Sequence, residues 1–493
     1  MKRASFFLGV FGFVTAGALG FGGCASFESD ICGYGICKGG SEAGGDGTLP
    51  DGTLPDTSLP DANVPGCPTN DDPAKNPEKC FTDELAAFVS AEAAPGGNGT
   101  RLRPFRTIGE GLTATTKPRI VVCEGRYTES LTVQRGVEIF SAVNCVFTAP
   151  GKRAQIFAPA GKEAAVFIDR ANGVRLVDLE ISGPATGVPN SIAVLLNASL
   201  STRIVRSLLS AGVGANGDNG VLVPLAGLDV RATQGGGTTS TTAGEGATHT
   251  CPSGGPSGGG GAGGAGSGQA GGNGGPLSSG GAGGTGTDCA AGGTGRSASD
   301  TVGRLPAPGA ADYGKLNVIQ WSPAEGTTGA TGESGKGGGG GAGTGGGGGG
   351  GGGAGGCGGA GGGAGKGGGG SFALLSTASE VGLLESELRT AKGGKGGTGA
   401  GGQVGQSGGL QGAGAPPGCT GGIGGKGGDG AAGGGGAGGL SVAIAYFGNK
   451  PTRDPNTKLS APASNAGEKG TGGAPGMNDG TDGKAADEFE LPQ

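Results

Sequence analysis

Val166-Phe167-Ile168-Asp169, leading to Val174-Arg175-Leu176-Val177-Asp178-Leu179-Glu180-Ile181, is the stretch whose reading decides the fold. Twenty-eight residues on, Val194-Leu195-Leu196-Asn197 leads to Thr202-Arg203-Ile204-Val205-Arg206-Ser207-Leu208-Leu209. Beyond a long glycine-rich tract, Ala373-Leu374-Leu375-Ser376 and Val381-Gly382-Leu383-Leu384-Glu385-Ser386-Glu387-Leu388 follow the same scheme. Each unit is a β-branched or leucine-rich run, a short polar turn and a second run. A fixed period of about 20–30 residues marks a solenoid. One unit cannot bury its apolar face alone, so the units must stack.

Working outward, the composition limits what else the chain can be. Of 493 residues, 128 are glycine, hydrophobic residues are 34% and aromatics 4%. Glycine loses more backbone freedom on folding than any other residue, so this composition argues against one large conventional core. The net charge is −6, the pI is near 5.1 and there is no basic tract, so no nucleic-acid partner is expected.

Residues 1–23 read as an export signal, with Lys2-Arg3 before an apolar stretch too short and glycine-rich for a good membrane span. The stretch closes on Phe21-Gly22-Gly23-Cys24, which resembles a bacterial lipobox. The resemblance implies acylation of Cys24 and membrane attachment through that lipid. Phe21 departs from the usual leucine, and cleavage after Ala16-Gly17-Ala18 is the competing reading. Of 11 cysteines, removing Cys24 leaves 11 − 1 = 10, compatible with five bridges in an oxidising compartment. Cys123 and Cys145 lie near one solenoid period apart. Equivalent positions in adjacent turns are ~4.8 Å apart, within reach of a disulfide. Sequential order alone suggests Cys32–Cys37, Cys67–Cys80, Cys251–Cys289 and Cys357–Cys419.

Residues 24–80 read as a lipidated N-terminus and a tether. Within them, Asp46-Gly47-Thr48-Leu49-Pro50 opens four Asp/Pro pentapeptides whose prolines exclude a helix interior. A spacer of defined reach and a linker without length requirement both fit. From Phe88, a glycine-asparagine turn precedes Arg103-Pro104-Phe105-Arg106-Thr107-Ile108, then Arg119-Ile120-Val121-Val122-Cys123-Glu124-Gly125-Arg126-Tyr127. This order resembles the start of secreted right-handed parallel β-helix proteins of the pectin-lyase-like superfold. The resemblance implies an all-β solenoid over 81–234 whose short N-terminal helix, through Phe105, Ile108 and Leu112, covers the open first turn. It says little about activity, because that fold carries many functions.

Residues 235–370 are expected to be glycine-rich insertions with an island at 301–325. Residues 371–463 would add turns at 371–392 and 440–463 around a glycine-rich loop, 393–439, before a polar tail at 464–493. The whole resembles glycine-rich, PGRS-like bacterial β-helix lipoproteins. Three states compete for the glycine tracts. Flexible coil fits the composition. Collagen is excluded by the lack of a strict period. A bundle of threefold extended polyglycine II helices would pair its backbone groups between chains.

No catalytic site, metal site or cofactor is legible. Asp169, Asp178 and Glu180 have Asn197, Arg206 and Leu208 as their equivalents one period on, so no acidic ladder forms. The alternation of Arg175 and Asp178 with Arg203 and Arg206 reads as a face of cross-turn charge pairs. His249, the one histidine, lacks a second ligand and an orienting acid. Ala330-Thr331-Gly332-Glu333-Ser334-Gly335-Lys336-Gly337 looks like a phosphate loop but lacks the final hydroxyl residue and the following helix. Gly427-Gly428-Asp429-Gly430 is a single degenerate copy of a calcium-binding repeat. The reading is therefore a structural or adhesive surface lipoprotein of the outer membrane or cell surface, meeting surface glycans or envelope polymers. Phe372, Tyr446 and Phe447 are candidate contacts. The alternative is a carbohydrate-cleaving enzyme using Asp169, Asp178 and Asp218.

Overall fold

The computed structural model describes residues 67, 72–226, 234–237, 242–253, 255–266, 268–289, 293 and 295–493. All belong to the second of two compact units, Ser58–Gln493. The signal segment 1–23, Cys24, Cys32, Cys37 and the pentapeptides lie outside the described residues.

The chain begins with the short α1 (Pro77–Cys80), β1 (Ala86–Val89), α2 (Ile108–Ala114) and β2 (Arg119–Cys123). There follow β3 (Gly125–Thr128), β4 (Leu131–Val133), β5 (Val137–Val143), β6 (Ala154–Phe157), β7 (Ala164–Asp169) and β8 (Val174–Val177). Next come β9 (Leu179–Ser182), β10 (Ser191–Asn197), β11 (Thr202–Val205) and β12 (Leu208–Ser210). After a hairpin of β13 (Gly314–Asn317) and β14 (Gln320–Pro323) come β15 (Ser371–Thr377), β16 (Val381–Leu384) and β17 (Glu387–Arg389). The last strands are β18 (Ser441–Phe447), β19 (Thr452–Arg453), β20 (Lys458–Ser460) and β21 (Ala485–Glu490).

These strands build a mostly β molecule of three parallel sheets. The first has the order β1-β2-β5-β8-β11-β16-β19, the second β3-β6-β9-β12-β17-β20 and the third β4-β7-β10-β15-β18-β21. From β2 onward the chain visits them in rotation. The arrangement is compatible with a parallel β-helix. The 28-residue offset is kept in the ladders, where Asn197 stands beside Asp169 and Leu208 beside Glu180. One register differs from the motif as quoted above. Val194 stands beside Leu374, not Ala373.

Inward columns such as Leu176, Ile204 and Leu383 form one continuous core. At its start Phe105 and Ile108 are buried and Leu112 packs at the margin. Thr107 and Glu110 form a capping box on α2, and the Glu129 carboxylate accepts the Ile108 and Gly109 N–H groups at 2.9 Å each.

Hydroxyl groups secure each corner. Ser199 Oγ accepts the Ala171 N–H and Ser379 Oγ the Ser199 N–H. At the next corner Ser207, Ser386 and Thr457 hydroxyls accept the N–H groups of Leu179, Ser207 and Ser386. At the third, Ser191 and Ser371 accept from Gly212 and Ala391. All these hydroxyl side chains are buried.

The glycine-rich insertions all leave at that third corner, between the second and third sheets: after Ser210, after Arg389 and after Ser460. Their described residues carry a hydrogen-bond repeat of three residues. Gly326, Gly329, Gly332 and Gly335 donate to the carbonyls of Gly365, Gly362, Gly359 and Gly356, an antiparallel pairing of legs. Gly353, Gly356 and Gly359 donate to Gly422, Gly425 and Gly428, a parallel one. A period of three is the one expected for threefold extended legs paired between neighbours.

Several boundaries differ from the expectation. The strands of the first block end at Ser210, and 211–226 already run as a glycine-type leg, with Gly214, Gly217 and Gly220 donating to Lys392, Lys395 and Thr398. The residues expected to be a polar tail, 464–493, form a third pair of legs and β21, which pairs with β18. Acceptors in the preceding layer and a ladder partner override the polar composition. Residues 72–80, the end of the expected tether, pack on the first sheet through Ala74, and Asp72 pairs with Arg206.

A Cβ on Gly405 would lie 2.0 Å from the Gly427 carbonyl, whereas one on Gly401 would meet nothing nearer than 3.9 Å. Gly405→Ala is therefore expected to lower the unfolding midpoint clearly. Gly401→Ala is expected to be neutral or to stabilise by up to about 1 kcal/mol through the unfolded chain. Denaturant unfolding of the two variants checks this. Ser386→Ala leaves the buried Ser207 N–H without its acceptor and is expected to cost about 1–3 kcal/mol in the same assay.

Candidate functional site

Two of the three sheets have their outward faces covered. On the first sheet, the column of Phe88, Phe140, Val177 and Val205 packs under Phe81 and Phe147, with the Phe81 and Phe140 rings 5.4 Å apart. On the third, Ile192, Phe372 and Val442 pack under Leu316 and Trp321 of the β13–β14 hairpin and under Leu491. Phe372 is fully buried with its ring 6.1 Å from Trp321, so it is packing and not a surface contact. Tyr446 and Phe447 are partly buried.

The outward side chains of the second sheet join no apolar cluster among the described residues. Register aligns Arg126, Gln155, Glu180, Leu208, Glu387 and Lys458 in one row. Thr128, Phe157, Ser182, Ser210, Arg389 and Ser460 form the next. The Arg126 guanidinium lies 3.8 Å from the Phe157 ring centroid. Gln155 Nε2 donates to Glu180 Oε2 at 2.9 Å and Arg389 Nε to Glu387 Oε1 at 2.7 Å. That bond to the Glu387 carboxylate holds the Arg389 guanidinium above its usual range. A shallow hollow of about 920 Å³, lined by Glu124, Arg126, Lys152, Arg153 and Glu180, adjoins the rows. Arg153 also borders a second hollow of about 500 Å³ with Glu387 and Lys458. The face offers a stacked guanidinium and ring, amide and carboxylate acceptors, and exposed cations. It can hold a polar, extended ligand by many small contacts.

Of the expected cross-turn charge pairs, that of Asp178 with Arg206 is present. Arg206 donates to Asp178 from Nε at 3.0 Å and from a terminal nitrogen at 2.7 Å, and these bonds hold the guanidinium above its usual range. Arg175 pairs instead with Glu138, which also takes Arg119. Asp169 accepts from Asn197, Gln134 and Arg170, while Asp218 sits on a glycine-type leg where its carbonyl accepts the Lys366 N–H. Each carboxylate of the alternative reading thus stands on a different element; Asp169 and Asp178 each carry a basic partner.

The His249 carbonyl accepts from Ser257, and the ring lines a small hollow with Thr248 and Thr250. Residues 330–337 are an extended leg, with Gly332 and Gly335 donating to Gly359 and Gly356. Asp429 accepts the Gly405 N–H and Lys426 Nζ. Among the described residues no three His, Cys, Asp or Glu side chains converge to hold a metal ion.

Cys67–Cys80 and Cys123–Cys145 are bridged, the latter with Cα atoms 4.8 Å apart. The sequential pairing of the other four is corrected: Cys251 joins Cys357 and Cys289 joins Cys419. Legs distant in sequence are neighbours in the bundle, so bridges cross between legs instead of closing local loops. The four disulfides fit an oxidising, extracellular environment. No helix among the described residues is long and apolar enough to cross a membrane.

Arg126, Lys152, Arg153 and Phe157 were missed in the sequence. Arg126 on β3 and Phe157 on β6 face outward beside the Lys152-Arg153 turn, and only the covering of the other faces makes that placement meaningful. Set against protein-family models, curated proteins and solved structures, the chain finds no match.

The Cys251–Cys357 bridge spans 106 residues. In the chain-entropy account, a loop of that length stabilises by up to about 4–5 kcal/mol. Cys251→Ser/Cys357→Ser is expected to raise amide exchange across 326–370 while β7–β11 stay protected, as read by hydrogen-exchange mass spectrometry.

Proposed function

We propose that the chain is an exported, membrane-anchored structural or adhesive surface lipoprotein. On this reading Cys24 carries the lipid, and the three sheets are turns of a right-handed parallel β-helix. The glycine-rich insertions are polyglycine II legs that widen it. The outward face of the second sheet meets surface glycans or envelope polymers. The single observation that carries the reading is that, among the described residues, this face alone of the three is left without an apolar cover, its rows mostly polar or charged. A long regular face suits a polymer, because each layer adds a similar small contribution at a fixed spacing of about 4.8 Å.

The test is retention of the mature protein on immobilised envelope polysaccharide. Arg126→Ala/Phe157→Ala removes the stacked pair from an exposed site and is expected to leave the unfolding midpoint nearly unchanged, since such a pair contributes about 0.5–1 kcal/mol. Retention is expected to fall about tenfold. Equal retention would sink the role given to this face. Release of reducing ends in the same incubation would favour the carbohydrate-cleaving alternative.

A further inference from the structure

The inward columns of the core change character at their last member. The column Val166, Val194, Leu374, Ile444 ends on Glu488, and the column Leu176, Ile204, Leu383 ends on Arg453. These two residues point at one another, with Arg453 Nε 3.0 Å from Glu488 Oε1, and Lys450 Nζ lies 2.6 Å from Glu488 Oε2. Lys450 and Arg453 hold the Glu488 carboxyl below its usual range. An ion cluster therefore floors the apolar core where the last strands, β19, β20 and β21, leave their edges open.

The glycine legs change at the same layer. In the preceding layer, the N–H groups of Thr390, Gly396 and Gly399 donate to carbonyls of the next layer, those of Ser460, Glu468 and Thr471. Their equivalents in the next layer are Ala461, Lys469 and Gly472, beyond which the described residues form no further layer. Those three N–H groups donate to Asp487 Oδ1 at 3.2 Å, Asp482 Oδ1 at 3.1 Å and Asp479 Oδ1 at 2.9 Å. Each aspartate places a side-chain oxygen where the missing layer would place a carbonyl.

We infer that the C-terminal layer is a built stop, and that the partner it excludes is a second copy of this chain. An open strand edge recruits another chain, and inward-pointing charge is a known means of blunting it. A second copy is the occupant to exclude because its own last layer carries the same rows of backbone groups at the same spacing. The other end of the core is covered by α2, so only this end would pair, and two copies would meet as a closed dimer about a two-fold axis.

The test is analytical ultracentrifugation of the mature chain and its variants over a hundredfold range of concentration. The wild type is expected to be monomeric. Asp479→Ala/Asp482→Ala/Asp487→Ala frees the three donors and is expected to double the mass as concentration rises. The matching triple substitution to asparagine keeps an acceptor oxygen in each place and is expected to stay monomeric. A folded alanine variant that remains monomeric would overturn the inference. So would a dimeric wild type, or an asparagine variant that associates as strongly as the alanine one. Arg453→Leu/Glu488→Leu leaves the glycine legs untouched and is expected to dimerise by itself. A folded monomer there would overturn the part assigned to the ion cluster.

Discussion

A chain with so few apolar side chains must still give each buried backbone N–H an acceptor, and that requirement governs the whole architecture. In the three sheets the acceptors come from parallel ladders. The ladders do not stop where the strands stop. The Leu208–Glu387 register of the second sheet continues as Gly214 to Lys392 and Gly217 to Lys395. The Ser371–Ser441 register of the third continues backward as Gly368 to Ala437 and Gly365 to Gly434. Each glycine leg thus inherits its direction, spacing and neighbour from the strand it adjoins. Ordering glycine costs more backbone entropy than ordering any other residue. That cost is offset leg by leg because both ends of every excursion are already fixed at the same corner of successive layers.

The corners themselves carry strain. Arg170, Ala198 and Ala378 lie at φ of 50°, 44° and 46°, and Asp178, Arg206 and Glu385 at 58°, 45° and 50°. Left-handed backbone costs a non-glycine residue roughly 1–2 kcal/mol. Glycine would relieve it, and the chain has glycine in abundance. What a glycine could not supply is the side chain: Asp178 pairs with Arg206 across layers, and Arg170 with Asp169. The buried hydroxyl rows beside these corners over-determine the turn, which is how such a conformation persists.

The stacked strands were legible because a repeat of apolar runs has one economical explanation, and the equivalence of Asp169 with Asn197 and of Glu180 with Leu208 follows from it. The slip by one residue at Ala373 and Leu374 was not, since an unbroken apolar run has no internal mark of register. Glycine tracts have the same composition whether coiled or paired, so order there depends on neighbours that sequence does not display. The tail at 464–493 misled for the same reason: Asp479, Asp482 and Asp487 read as solvated charge until the donors they cover are seen. The pairing of Cys251 with Cys357 likewise depends on which legs are adjacent. Covering of the first and third sheets by Phe81 and Trp321 comes from segments outside the repeated strands, and so the open face of the second sheet was invisible to any periodicity.

The open face and the glycine legs form one surface. Because the legs leave after the second sheet, its rows run on without a break, from Ser210 to Asn216, from Arg389 to Lys395 and from Ser460 to Glu468. On the leg 393–409, Gly393, Gly396, Gly399, Gly402, Gly405 and Gly408 face neighbouring backbone with no room for a Cβ, while Lys395 and Val404 carry exposed side chains. Substituting a tight position such as Gly397, where a Cβ would lie 2.0 Å from the Asp218 carbonyl, breaks the packing that makes the leg. The legs therefore broaden the surface at little side-chain volume, their side chains meeting in small charge groups such as Lys392 and Lys395 with Glu468. The strands of the second sheet carry a denser row, where Arg126, Gln155 and Glu180 stand in adjacent layers.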